Sequence, residues 1–176
     1  AKPEVILYGC TSATLTHGVA FDRTLAARIK QASGAATVTA AGALVQALGA
    51  LGARRIGFAS PYVSRINDMA IEFLLDAGIE TVQRSEVTKA LGNYGQGELT
   101  PDEVFALGLR ADHSLADALV LSCTDMRSAE CLARLEAAVG KPVICSNQAM
   151  LFAALQARGI AQPMPGFGQL LQRGRL

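Results

Sequence analysis

The sequence predicts an α/β fold of two similar halves, each a mostly parallel sheet wound with helices. Short apolar runs alternate with helical segments along the whole 176 residues. One strand–helix pattern from the first third of the chain recurs near its end. Apolar residues make up 51% but aromatics only 5%, and there is no Trp. The core is therefore mostly Ala, Leu, Val and Ile, which suits small-residue helices lying close on buried strands.

Taken in order, Glu4-Val-Ile-Leu-Tyr8 is a short apolar run ended by Gly9 and reads as a buried parallel strand. Residues 11–18 are rich in Thr and Ser and read as a loop. An amphipathic helix over about 21–32 follows, closed by Gly34. A brief strand at 36–38 runs into a helix over 40–51, with Thr39 as N-cap and Gly52 at its end. Residues 55–59 form the next strand, whose end carries Ser60-Pro61-Tyr62, and a helix over 64–76 stops at Gly78. Residues 81–87 read as a strand and 91–97 as a glycine-rich loop. Thr100-Pro101 supplies an N-cap and a first-turn proline for a helix running to about 112. A second buried strand, 118–122, is ended by Cys123. Helix 128–139, strand 142–145 and helix 147–157, closed by Gly159, complete the pattern.

The repeat is specific. Tyr8-Gly-Cys-Thr-Ser12 matches Leu121-Ser-Cys-Thr-Asp125, each at the end of an apolar run. Residues 39–52 then align without a gap on 146–159, pairing a hydroxyl residue, Leu44 with Leu151, Ala47 with Ala154, Leu48 with Leu155 and the closing glycines. Two such halves face each other across a cleft lined by the carboxyl ends of their strands, where Cys10 and Cys123 sit. Residues 1–52, completed by 160–176, make the first half and 53–159 the second.

Formal net charge is +1 with no acidic or basic block, so neither nucleic acid nor an anionic membrane is expected as partner. The apolar stretch 35–53 is broken by Thr37, Thr39, Gln46 and glycines, which favours a buried helix over a membrane span. The four cysteines form no C-x-x-C pair, so neither a zinc site nor a disulfide framework is expected, and reduced cytoplasmic thiols are. Cys131 and Cys145 read as small buried hydrophobes. Cys10 and Cys123, placed alike, read as reactive. Each precedes Thr and a polar loop whose N–H groups can favour a thiolate. Two thiols on opposite faces of one carbon permit acid–base chemistry with inversion. Equally, one could add covalently while the other handles a proton. No cofactor or metal is required.

At these residues the sequence resembles the aspartate/glutamate racemase superfamily, in its maleate isomerase and arylmalonate decarboxylase branch. The resemblance rests on residues 9–12, 52–62, 121–125, 135–149 and 166–171, in the family's order. It implies two pseudosymmetric Rossmann-like halves with the active site in the cleft between them. It also implies Cys10 as nucleophile on an alkene carbon and Cys123 as proton donor, with maleate-to-fumarate isomerisation as the reaction. Tyr62 and Asn93 would hold substrate carboxylates, and Thr11, Ser12 and Thr124 would donate hydrogen bonds to carboxylate or enediolate. Members are commonly oligomeric, which implies a homo-oligomer acting on a small dicarboxylate.

Arylmalonate decarboxylases have glycine where Cys10 stands, so keeping both thiols argues against simple decarboxylation. Amino-acid racemases typically show Asn after the first cysteine and His or Glu after the second Cys-Thr, where this chain has Thr11 and Asp125. The family also has a strand–helix region ahead of the first cysteine, carrying a substrate-binding asparagine. The short run before Cys10 implies a fragment or a shortened relative, with an incomplete first sheet and an exposed edge. A decarboxylase, a racemase, and an inactive fragment or small-acid binding module are the alternatives. His17, His113, Asp125 and Arg127 read as loop or surface groups.

Overall fold

A computed structural model describes residues 2–172, apart from the Asn93 side chain. Two parallel sheets organise it. The first pairs β1 (Val5–Tyr8) with β2 (Ala36–Thr39), from Val5 opposite Ala36 to Tyr8 opposite Thr39. The second contains β3 (Arg55–Ala59), β4 (Glu80–Ser85), β5 (Ala118–Leu121) and β6 (Val143–Cys145), in the order β4-β3-β5-β6. Register in the second sheet sets Leu121 opposite Cys145. Cys10 and Cys123 each lie two residues beyond the last paired residue of their strand, which is the repeat expressed in three dimensions.

The helices are α1 (Thr11–Leu15), α2 (Gly18–Ser33), α3 (Ala40–Ala50), α4 (Ser64–Asp76), α5 (Gly92–Glu98), α6 (Pro101–Arg110), α7 (Leu132–Val139), α8 (Ser146–Ala157) and α9 (Gly168–Gln172). Repeat-related α3 and α8 pack on each other, and each also touches both sheets. This interlocks the halves through one core: Leu44 and Leu48 of α3, Ile56 and Phe58 of β3, Val120, Ile144 and Phe152. The opposite face of the second sheet buries Leu119, Leu121 and Val143 against Val104, Leu107 and Leu135. Because β5 alternates between the two cores, both of its faces are apolar, and its sequence is an unbroken run. Each fully buried Leu, Ile or Phe contributes about 1.5–3 kcal/mol.

Gly57 is demanded by packing. A Cβ there would stand 2.0 Å from the Ala111 carbonyl oxygen at the end of α6, beside a register shift between β3 and β4. Thr100 begins α6 with a capping box, accepting from Glu103 N while the Glu103 carboxylate accepts from Thr100 N.

Several expectations are corrected. The loop 11–18 contains α1 and the start of α2. Thr14, fully buried, donates from its hydroxyl to the Cys10 and Thr11 carbonyls and accepts from Ala41 N at 3.2 Å, which winds the segment onto α3. The 91–97 loop is the helix α5. β1 is less buried than a central parallel strand, with Leu7 47% exposed, because β2 is its one described neighbour. The N-cap of α8 is Cys145, whose sulfur accepts from Gln148 N, so the hydroxyl residue aligned with Thr39 lies one position inside the helix. Thr39 caps α3 as expected, accepting from Gly42 N at 3.1 Å. The sequence places residues 160–176 with the first half, yet α9 packs on β6, α7 and α8. The buried carboxylate of Glu136 fastens it, accepting from Gln169 N and Val143 N at 3.0 Å each. Residues 173–176 lie outside the described part. Stretch 35–53 is β2 plus α3, and no described helix is long and apolar enough to cross a membrane.

Candidate active site

Cys10 stands at the N-cap of α1 with an exposed thiol, and Ser12 Oγ lies 3.8 Å from its sulfur. Its thiol caps none of the backbone N–H groups of the helix it begins.

Cys123 is in the opposite situation. It is 1% exposed, and its thiol donates to Gln96 Oε1 at 3.4 Å. Burial pushes its pKa above the ordinary thiol value. The nearby Tyr62 hydroxyl and the backbone N–H groups of Asp125 and Met126 offset part of that rise. The fold therefore favours the protonated thiol at rest while keeping three donors ready for a thiolate.

Tyr62 links the two. Its phenol reaches Cys123 and Ser12 and feels Cys10, and burial first, then the neighbouring thiols, drive its pKa upward. It stays a hydrogen-bond donor at any physiological pH. The Ser60-Pro61-Tyr62 turn is held rigidly beneath it. Ser60 Oγ donates to Asn67 Oδ1 at 2.5 Å and accepts from Tyr62 N at 3.1 Å. Asn67 Nδ2 donates to the Tyr62 carbonyl at 3.0 Å and to Glu86 Oε2 at 2.9 Å. Glu86 also accepts from Ser64, and that bond first, with Asn67 and Arg84 behind it, holds its carboxyl below the usual range.

Across the junction of the halves, Thr124 Oγ1 donates to the Gly9 carbonyl at 2.6 Å, and Asn147 Nδ2 donates to the Thr124 carbonyl at 3.0 Å. A groove of about 490 Å³ lined by Ser12, Val63, Arg65, Ile66 and Met69 opens beside Ser12.

The structure thus gathers Cys10, Ser12, Tyr62, Cys123 and Thr124. Thr11 lies next to Cys10 with its hydroxyl buried and without a described partner. Asn93 is on α5, and its side chain lies outside the described residues. Sequence reading missed Gln96 and Asn67. Gln96 lay within the glycine-rich segment already singled out, whereas Asn67 carried no signal, being one polar residue on an amphipathic helix. Cys131 and Cys145 are buried, and burial raises both, Cys145 to about 11. Arg127 pairs with Glu130 at 2.7 Å, and His17 Nδ1 lies 2.8 Å from the Ala13 carbonyl oxygen. Asp125 is exposed and offers its backbone N–H to Cys123. Among the described residues no His, Cys, Asp and Glu group is placed to hold a metal ion.

Two cysteines stand at equivalent strand ends of an α/β protein, one open and one buried against a tyrosine near both. The chain belongs to the arylmalonate decarboxylase family, whose pattern matches residues 3–171. It is 31% identical to a maleate isomerase of Pseudomonas putida, covering 97% of this chain and 70% of that one. It is 28% identical to an arylmalonate decarboxylase of Bordetella bronchiseptica, covering 91% and 68%. The fold superposes with a TM-score of 0.91 on a mutant Nocardia farcinica maleate cis-trans isomerase with a covalently bound succinylcysteine intermediate, at 28% identity over 97% of this chain and 72% of that one.

Proposed function

We propose that the chain is a cofactor-independent cis–trans isomerase converting maleate, or a close dicarboxylate, to the trans isomer. The observation that carries this reading is the unequal environment of two equivalent cysteines, Cys10 exposed and Cys123 buried with its proton. Cys10, as thiolate, adds to one alkene carbon. A C–S bond forms, and the π pair moves to the neighbouring carbon and its carboxylate as an enediolate. Cys123 transfers its thiol proton to that carbon, leaving a succinyl thioether on Cys10 and a thiolate at Cys123. The former double bond is now single and rotates. Cys123 takes a proton back from the same carbon, the C–S pair leaves with Cys10, and the trans alkene is released. The succinylcysteine of the Nocardia relative is the adduct this sequence requires.

Ser12, Thr11, Tyr62 and Asn93 are the groups we assign to the substrate carboxylates and enediolate. Thr124, whose hydroxyl is given to Gly9, acts by holding Cys10 in place. The division at residue 52, a cytoplasmic location and a homo-oligomeric state belong to the same proposal. Light scattering of the purified protein tests the last.

Proton NMR of maleate with the protein in D2O tests the reaction. A fumarate signal that disappears in both Cys10→Ala and Cys123→Ala is the expected result. Unchanged maleate sinks the substrate assignment and moves the search to arylmalonates and amino acids. The family's decarboxylases make a rival reading in which Cys123 acts alone, and activity retained in Cys10→Gly would favour it.

A further inference from the structure

The helix α5 has a composition that argues against its own existence. Three of its seven residues are glycine, each costing about 1 kcal/mol relative to alanine in a helix. Something outside the helix must hold it, and the contacts point to the Cys123 loop. A Cβ on Gly97 would stand 3.5 Å from the Asp125 carbonyl oxygen, in ordinary van der Waals contact. One turn of helix in the same region brings Gln96 Oε1 to 3.4 Å from Cys123 Sγ.

A carboxamide suits this position because it can both accept and donate. Its oxygen accepts the S–H of the resting thiol, and its NH2 group, after a half-turn of the amide, donates to a thiolate. The proposed reaction takes Cys123 through both states. A carboxylate of the same length accepts without donating.

We propose that Gln96 is a positioning residue for proton transfer. It orients the Cys123 thiol through Oε1 and turns its amide to stabilise the thiolate left after the proton is delivered. The assignment rests on the two-thiol isomerase reading and concerns the same site.

The test uses isosteric Gln96→Glu and apolar Gln96→Met, with two readouts. The first needs no substrate. Thiolate ultraviolet absorbance is titrated in a Cys10→Ser background, with the Cys10→Ser/Cys123→Ser protein subtracted. Gln96→Glu raises the Cys123 midpoint by about one unit, because a carboxylate accepts from the thiol and repels the thiolate. The second is steady-state turnover of maleate. Gln96→Met lowers kcat about ten-fold with a much smaller change in KM, because the loss falls on the proton step. An unmoved midpoint in Gln96→Glu, with wild-type circular dichroism, overturns the contact. An unchanged kcat in Gln96→Met overturns the positioning role. If the wild-type protein leaves maleate untouched, the isomerase reading fails by itself, and the titration alone still decides whether Gln96 governs Cys123.

Discussion

The hydroxyl of Thr124 donates to the carbonyl of Gly9 at 2.6 Å, so the residue after one cysteine grips the residue before the other. The repeat puts Cys10 and Cys123 at matching strand ends, but matching ends do not fix the distance between two thiols. This bond crosses the junction and does so directly at the reacting groups. Asn147, on α8, completes it by donating to the Thr124 carbonyl.

Thr124→Val keeps the shape and removes the donor. We expect kcat to fall about three- to ten-fold, the value of one hydrogen bond, while Thr124→Ser stays near wild type. Steady-state turnover of maleate by the two variants checks this, and equal loss in both would mean that the methyl group, not the hydroxyl, is what matters.

Tyr62 senses both thiols, and its removal has a signed consequence. Its hydroxyl lowers the Cys123 pKa against the dominant effect of burial. Tyr62→Phe therefore raises that pKa further. On the proposed mechanism, in which Cys123 is the acid, the alkaline decline of kcat moves to higher pH than in the wild type. The rate at the plateau falls about 10- to 100-fold as thiolate and enediolate lose a donor. A pH–rate profile of the two proteins reads both effects.

Asn67 never meets the thiols, yet its three hydrogen bonds hold the turn that presents Tyr62. Asn67→Leu should cost nearly as much activity as Tyr62→Phe, and the double variant little more than either alone. Additive losses in that cycle would show that Asn67 serves the fold and not the tyrosine.

The strands and most helices were legible because their signals are local: apolar runs, glycines after helix ends, and a Thr-x-x-Glu box at residue 100. The pairing of Cys10 with Cys123 was legible because duplication copies local sequence. What stayed hidden depends on tertiary contact. α1 forms where composition suggests a loop because Thr14 reaches Ala41, twenty-seven residues on. α5 forms despite its glycines, and Gln96 gains its meaning from a residue twenty-seven positions away. Cys145 replaces the expected hydroxyl cap because the strand runs one residue less far than the alignment of the repeats implied. No short window of sequence contains both partners of the Thr14–Ala41 or the Gln96–Cys123 contact.

Cys145 also sets a limit on alkaline stability. Burial lifts its pKa from 9.0 to about 11, so the unfolded chain ionises this thiol before the folded one does. Its contribution to stability is complete below about pH 9 and is lost as pH rises through about 11, to a total of roughly 2–3 kcal/mol. Urea unfolding at several pH values should show that decline, and Cys145→Ala should flatten it even though the variant starts less stable.

Gly57 couples the fold to the site most severely. A methyl group there meets the Ala111 carbonyl oxygen at 2.0 Å and Leu119 Cδ2 at 2.5 Å. The leucine side chain can yield, but the backbone carbonyl at the end of α6 cannot move without pulling that helix off the sheet. Gly57→Ala should therefore cost about 1–3 kcal/mol or more, lowering Tm by several degrees. The shift also propagates forward, because β3 ends at Ala59 and delivers Tyr62 three residues later. Thermal unfolding and turnover measured together should fall in step in Gly57→Ala. Loss of stability with full turnover below Tm would show that the Asn67–Glu86 network holds the tyrosine turn independently of the strand that leads to it.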